Sequence, residues 1–515
     1  MTATQSNNKR IAKNTMLLYV RLLFTMVISL FTARVVLNTL GVEDFGIYNI
    51  VGGFVSVFAF LNSSMASSTQ RFLSFEIGKK NNVQLGRVFN MSITIHVLIG
   101  ILIVLLAETI GLWFLNTQLT LPHDRLVAAN WVYQFSIFTL FINVISVPYN
   151  AAIIARERMN VFAWVSIIEV SLKLVIVYML FMTSFDKLKF YAILTFTVAL
   201  IIRIVYGVYS RKFLSETKFQ LIWDKTLFNT LLNYAGWNLW GNLAYVMYGQ
   251  GVNILLNIFF GPVVNAARAI AYQIQIAING FVQNFQIAIN PQIIKTYASN
   301  DLKSMHQLVF QGARFSFYLL FTLSLPVLIE TELILKLWLK IVPEYTVIFT
   351  QLILINVLID SLSGPLKTAA QASGDIKFYQ ITVGGLLLLI LPLSYLFLKL
   401  GFSPQVVLYI SIVISIIALF ARLLILKNLV QIKMSEFIFN VVIKSLLVCM
   451  VVAILPIMTH IIIERGFFKI FIVGFVSLIS ASSFIYLLGL SSFEKLYFQN
   501  VIKTKYLQLV KKKQE

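Results

Sequence analysis

Between positions 265 and 290 the chain reads NAARAIAYQIQIAINGFVQNFQIAIN. At 100° per residue, Asn265, Arg268, Tyr272, Gln275, Asn279, Gln283, Gln286 and Asn290 fall within an arc of about 80°. Isoleucine and alanine fill most of the rest. Amides and a phenol in such a row suit a hydroxyl-rich ligand, and Arg268 adds a fixed positive charge near one end. The preceding stretch repeats the device, with Asn238, Asn242, Tyr245, Gly249 and Asn253 in a similar arc. Polar residues also join apolar helices to one another, at about 0.6 to 2 kcal/mol per bond. So long a row exceeds what one packing seam needs, and a water-filled cavity accounts for it better.

Charge in apolar surroundings is the second signal. Residues 16–36 read MLLYVRLLFTMVISLFTARVV, and no acid stands between Asn14 and Gly41 to pair with Arg21 or Arg34. A central arginine costs a membrane helix about 2.5 to 3.5 kcal/mol. Arg21 shares a face with Thr25, Thr32 and Thr39. Arg34 is close to Gly41 and could snorkel outward, as Arg21 could inward. Elsewhere Glu169 and Lys173 form an i, i+4 pair. Asp360 and Glu108 are the candidates for coupling to a proton or sodium gradient, beside the plainer role of bonding a neighbouring helix. The four histidines (His96, His123, His306, His460) are scattered, and no metal-ligand spacing, nucleophile motif or phosphate-cradling glycine loop is present. No cofactor or metal is expected. The single Cys449 allows no internal disulfide.

These residues need a membrane-spanning scaffold. The chain has 515 residues, 59% hydrophobic and 12% charged, about half the charge of a soluble domain. Runs of about 20 apolar residues predict an all-α polytopic protein of about fourteen transmembrane helices. The first would run over 14–40, the second over 45–68 and the eighth over 263–289. Lys and Arg concentrate in alternate loops and at both ends (Lys9, Arg10, Lys13; Arg71, Lys79, Lys80, Arg87; Arg156, Arg158; Lys511, Lys512, Lys513), which puts both termini in the cytoplasm. The net charge of +21 thus reads as topology and attraction to the lipid bilayer, not as nucleic-acid binding.

An internal repeat organises the spans. Asn14 and Gly41 recur as Asn233 and Gly261, and PYNAAIIARERMNVF (148–162) resembles PLKTAAQASGDIKFY (365–379) at nearly the same offset. A unit of six spans is even, so both copies run the same way, related by an axis along the membrane normal. The expected organisation is an N-terminal lobe over 1–210, a cytoplasmic linker over 211–229, a C-terminal lobe over 230–427, two extra helices over 428–490 and a basic tail over 491–515.

VLNTLGVEDFGIYNIVGGF (36–54), PYNAAIIARERMNVFAWVSI (148–167) and QASGDIKFY (371–379) resemble the polysaccharide-export branch of the multidrug/oligosaccharidyl-lipid/polysaccharide (MOP) exporter superfamily, which includes the O-antigen flippases. The resemblance implies a MATE-like fold of two six-helix lobes around a central cavity, working by alternating access. The implied ligand is an undecaprenyl-diphosphate-linked oligosaccharide, moved from the cytoplasmic to the outer leaflet of the bacterial inner membrane. Polysaccharide polymerase and assembly proteins are the implied partners. In related peptidoglycan-precursor flippases, arginines of the first and eighth helices contact the diphosphate. Arg21 in YVRLL and Arg268 in AARAIAY match them; Arg34 matches a further first-helix arginine. An arginine without a protein acid suits a ligand that brings its own charge, and its fork matches phosphate. Asn238, Asn242, Tyr245, Asn253, Tyr272, Gln275, Asn279 and Gln283 are then the candidates for lining the cavity and contacting the sugar.

Two other functions compete. A cation-coupled multidrug exporter of the same fold would need acids facing its cargo, and the first, second, seventh and eighth spans hold none before Glu76. A membrane polysaccharide polymerase or ligase would carry a large outer loop, and the loops here are short. The expectation is a transporter, not an enzyme.

Overall fold

The computed structural model describes residues 3–496 except 58, 118–122, 219, 221, 261, 340–341, 465 and 493. Among the described residues it is helical, with no strands. The first helix, Ala3–Val57, breaks at Gly41, where φ is 83° and ψ 168°. That conformation is open to glycine and strained for other residues. Helix α1 is therefore 3–40, and α2 is 42–78, its second part running over Ala59–Gly78. The sequence places the end of the first span at this same glycine.

The chain continues through α3 (Asn82–Thr117), α4 (Leu126–Ala155), α5 (Met159–Phe181), α6 (Lys187–Phe213), α7 (Lys225–Phe260), α8 (Pro262–Ala298), α9 (Leu302–Ile329), α10 (Thr346–Ser373), α11 (Lys377–Lys399), α12 (Val406–Val430), α13 (Met434–Ile462) and α14 (Phe467–Gly489). Twelve helices among the described residues are long and apolar enough to cross a membrane. The two outside that count are α2 and α8. Their polar faces lower their hydropathy because both lie in the seam of the molecule, α2 against α7 and α8, and α8 against α1 and α2.

Apolar packing separates two units. One extensive cluster joins α7 to α13 and includes Val252, Val282, Phe317, Leu354, Leu423 and Val452. Two others, around Phe89 with Tyr149 and around Tyr133 with Val51, belong mainly to α2–α6. Among the described residues apolar packing also crosses between the units: Leu227, Leu231, Tyr234 and Ala235 of α7 and Ile376 join the cluster around Phe89, Ile11 of α1 joins the extensive one, and Leu18, Ile154 and Met159 with Ala288 form a small fourth. Lipid gives helices no hydrophobic drive to associate, so close packing and interhelical hydrogen bonds must hold these units.

The repeat is visible in the backbone. Lys80 and Asn300 end α2 and α8 with φ of 58° and 61°. Each precedes a capping side chain, Asn81 on the amide of Gln84 and Asp301 on that of Ser304. Glu157 and Gly374 follow α4 and α10 with φ of 58° and 86°. A left-handed residue is a usual helix stop. Its recurrence at matching positions shows the same turn built twice.

Candidate functional site

The two units meet at the end of the bundle that holds the N-terminal residues. From α2, Arg71 donates to the carbonyls of Gln371 (3.0 Å) and Ala372 (2.7 Å) at the end of α10. Its guanidinium also lies over Phe72 and Phe75, 4.5 and 4.6 Å from the ring centres. From α8, Gln292 and Lys295 both donate to the carboxylate of Glu157, in the turn after α4. Arg10 joins that carboxylate at 2.8 Å. Between these groups Gly78 of α2 crosses α8 so closely that a Cβ there would lie 2.6 Å from the carbonyl oxygen of Lys295.

Further from that end the seam is made of neutral polar groups. Asn242 donates to Ser64 at 3.0 Å, and Gln371 donates to Ser67 at 3.3 Å. At the opposite end ion pairs stay within one unit. Arg125 holds Asp44 (2.5 Å) and Asp186 (2.8 Å), and Glu330 holds His460 (2.7 Å). Among the described residues, the hydrogen bonds and ion pairs joining the two units lie from mid-helix toward the N-terminal end. The molecule is thus joined at that end.

The polar stripe of α8 divides along its length. At one end Arg268 is 3% exposed. It donates to Asn253 of α7 and, at 3.0 Å, to the Tyr272 hydroxyl, and its charge sits 4.4 Å from the Tyr272 ring centre. Its Nε has no partner. At the other end Gln286 donates to Ser316 (3.3 Å) and Asn290 accepts from Thr368 (2.9 Å). In the middle Gln275 and Asn279 are half-buried and Gln283 is exposed; none of the three bonds another described residue. Ile278 and Ile289 are buried in the apolar core, so the helix has the two-faced character that its sequence predicts.

Other candidates are placed differently. Asn238 is buried, and its side-chain oxygen accepts from Gln371 (3.3 Å) and Gln380 (3.0 Å) of its own unit; in this conformation it is away from open space. Tyr245 is 56% exposed. Arg21 lies 4.6 Å from the Phe162 ring centre on α5, with Nε and Nη1 buried and unpartnered. The Arg34 side chain falls outside the described residues. Tyr19, two residues from Arg21, packs on Phe281 with ring centres 5.7 Å apart. Arg268 lies thirteen residues before Phe281, roughly 20 Å along a helix. Glu108 sits on a π-turn of α3 and accepts from Gln134 at 3.1 Å. Asp360, on α10, lies near Ser415 and Arg422 of α12.

Two features lie outside the sequence-based expectations. Glu157 stands between two arginines of a basic turn, and its only sequence signal is alignment with Gly374 in the repeat. The second is an apolar groove of about 850 Å³, lined by Ile11, Met16, Phe285, Ile289, Phe315 and Ile485 of α1, α8, α9 and the end of α14. Such a groove depends on long-range packing and leaves no local pattern.

A protein-family model described as MatE matches residues 18–179. A comparison with curated proteins gives no match. Among solved structures, an outward-facing multidrug resistance MATE family transporter of the MOP superfamily is similar at a TM-score of 0.70 with 11% identity, covering 84% of this chain and 98% of that one. The Vibrio cholerae MATE transporter VcmN in its bent form is similar at 0.69 with 16% identity, covering 84% and 98%. The MATE transporter ClbM in complex with Rb+ is similar at 0.70 with 15% identity, covering 84% and 96%. The chain therefore has the MATE transporter fold.

Proposed function

We propose that the chain is an alternating-access flippase. It turns an undecaprenyl-diphosphate-linked oligosaccharide from the cytoplasmic to the outer leaflet of a bacterial inner membrane, for assembly of O-antigen, capsule or exopolysaccharide. The observation that carries this reading is the pairing of two surfaces on α8. Gln275, Asn279 and Gln283 leave hydrogen-bonding groups unmet, while Phe285 and Ile289 of the same helix line the apolar groove. A hydroxyl-rich head on an isoprenoid tail needs both surfaces at once.

In this reading Arg268 meets the diphosphate, with Arg21 and Arg34 as further candidates at other stages of the passage. Asn238, Asn242, Tyr245, Asn253 and Tyr272 line the path of the sugar as the lobes rearrange. The basic loops place both termini in the cytoplasm. Asp360 and Glu108 are the carboxylates through which a proton or sodium gradient would act, and polymerase or assembly proteins would receive the product.

A cation-coupled multidrug exporter is the second reading, favoured by the multidrug transporter among the similar structures. The two differ in cargo charge. The purified chain is reconstituted in liposomes with lipid-linked oligosaccharide, and outward movement is read by access of an external glycosidase. Flipping that falls at least tenfold in Arg268→Ala, without uptake of ethidium, is the expected result. Ethidium transport with no flipping would replace the first reading by the second.

A further inference from the structure

Helices α2 and α8 hold the same place in the two repeat units, and each grips the turn after the fourth helix of the other unit. The two grips differ in chemistry. Arg71 takes backbone carbonyls beside Gly374. Lys295 and Gln292 take a side-chain anion, Glu157. That carboxylate is 1% exposed and accepts from an ammonium, an amide and the Arg10 guanidinium, which is itself half-exposed. Cationic and amide donors converging on one carboxylate are also a donor set for phosphate. The carboxylate belongs to one lobe, and Lys295 and Gln292 to the other. Parting of the lobes at this end therefore leaves Lys295 and Gln292 without their anion. The apolar groove begins beside this point, at Ile11 and Ala12 next to Arg10, and passes Ile289, one turn from Gln292.

We propose that Lys295 and Gln292 form an anion seat: Glu157, held on its own lobe by Arg10, fills it while the lobes are closed at this end, and a phosphate or diphosphate group fills it when they part. The proposal rests on the reading of the chain as a carrier of a diphosphate-linked lipid. Glu157 then acts as a tethered competitor of the ligand. Closure at this end and an anion waiting in the seat exclude each other, so the lobes close only after the anion has moved on. A lipid whose phosphate occupies the seat has the groove beside it for its chain.

The test uses the full chain in nanodiscs of zwitterionic lipid, with inorganic pyrophosphate and undecaprenyl diphosphate as separate probes. Glu157→Gln removes the competing charge and keeps the side-chain volume. It is expected to bind a probe at least tenfold more tightly than the wild type, and Glu157→Gln with Lys295→Met is expected to lose that gain. Glu157→Ala serves as a second variant, and thermal unfolding shows whether each is folded. Tighter binding of both probes assigns the seat to the phosphate alone; tighter binding of the lipid only assigns it to the phosphate together with the groove. Equal affinity of wild type and both Glu157 variants for both probes overturns the proposal and leaves Glu157 as a closure contact. Because no transport is measured, flipping without this binding would remove the seat and spare the flippase reading. Binding without flipping would do the reverse.

Discussion

Arg268 and Gln283 lie on one stripe, and the structure gives them different burdens. Arg268 is buried, donating to Asn253 and Tyr272. Removing it takes away its hydrogen bonds to Asn253 and Tyr272, at about 0.5 to 1.5 kcal/mol net for each such bond. Arg268→Ala is expected to lose both transport and thermal stability, with Arg268→Lys intermediate because the ammonium lacks the fork. Gln283 is exposed and bonds no other described residue. Gln283→Ala is expected to change the unfolding temperature little while lowering transport several-fold. Equal loss of stability in both variants would mean that the stripe only packs. The stripe itself was legible, since a 3.6-residue period shows in any linear reading. Which members were already satisfied was not, because Asn253, Ser316 and Thr368 lie on other helices. Glu157 was overlooked for a related reason: its partners Lys295 and Gln292 are more than 130 residues away.

At the scale of the helix, the crossing of α2 over α8 controls closure. Gly78 has no room for a Cβ against the backbone of Lys295 and the side chain of Ala298. Overpacking typically costs about 1 to 3 kcal/mol, and here the cost falls on the joined state and not on a state in which these ends separate. Gly78→Leu is therefore expected to shift the population toward opening at this end by roughly tenfold or more. Faster thiol labelling of a cysteine at Ser74, which is buried in the described structure, would report the shift in a Cys449→Ser background. Unchanged labelling would show that the crossing can yield without separation. A second element-level anchor is Arg314 of α9, paired with Glu494 at 2.5 Å where both are nearly buried. Breaking a buried pair costs about 3 to 5 kcal/mol, so Glu494→Ala is expected to loosen the segment after α14 and raise its proteolysis. Unaltered cleavage there would count against that anchoring role. The landmark at Gly41 was readable because a helix break with positive φ demands glycine, and Pro148 and Pro365, both inside helices, were readable as prolines at matching positions. The place of α2 and α8 in the seam was not, since hydropathy reports polarity without saying what the polar face meets.

For the whole molecule, two helical units joined by hydrogen bonds and ion pairs from mid-helix to the N-terminal end imply motion by rocking. Apolar contacts also cross between the units, at Leu18, Ile154, Met159 and Ala288 and where α7 packs on the cluster around Phe89, so a tilt has to keep or exchange them. The central claim is that ligand drives the two ends in opposite senses. It is tested most directly by spin-label distances in the Cys449→Ser protein, with one pair at Lys212 and Lys303 near the joined end and another at Lys187 and Lys336 near the opposite end. The distances are measured with and without undecaprenyl-diphosphate-linked oligosaccharide. The account predicts that ligand redistributes them in opposite directions, a longer component appearing for the first pair as a shorter one appears for the second. Distances that stay fixed in both pairs, or that lengthen together, would contradict it.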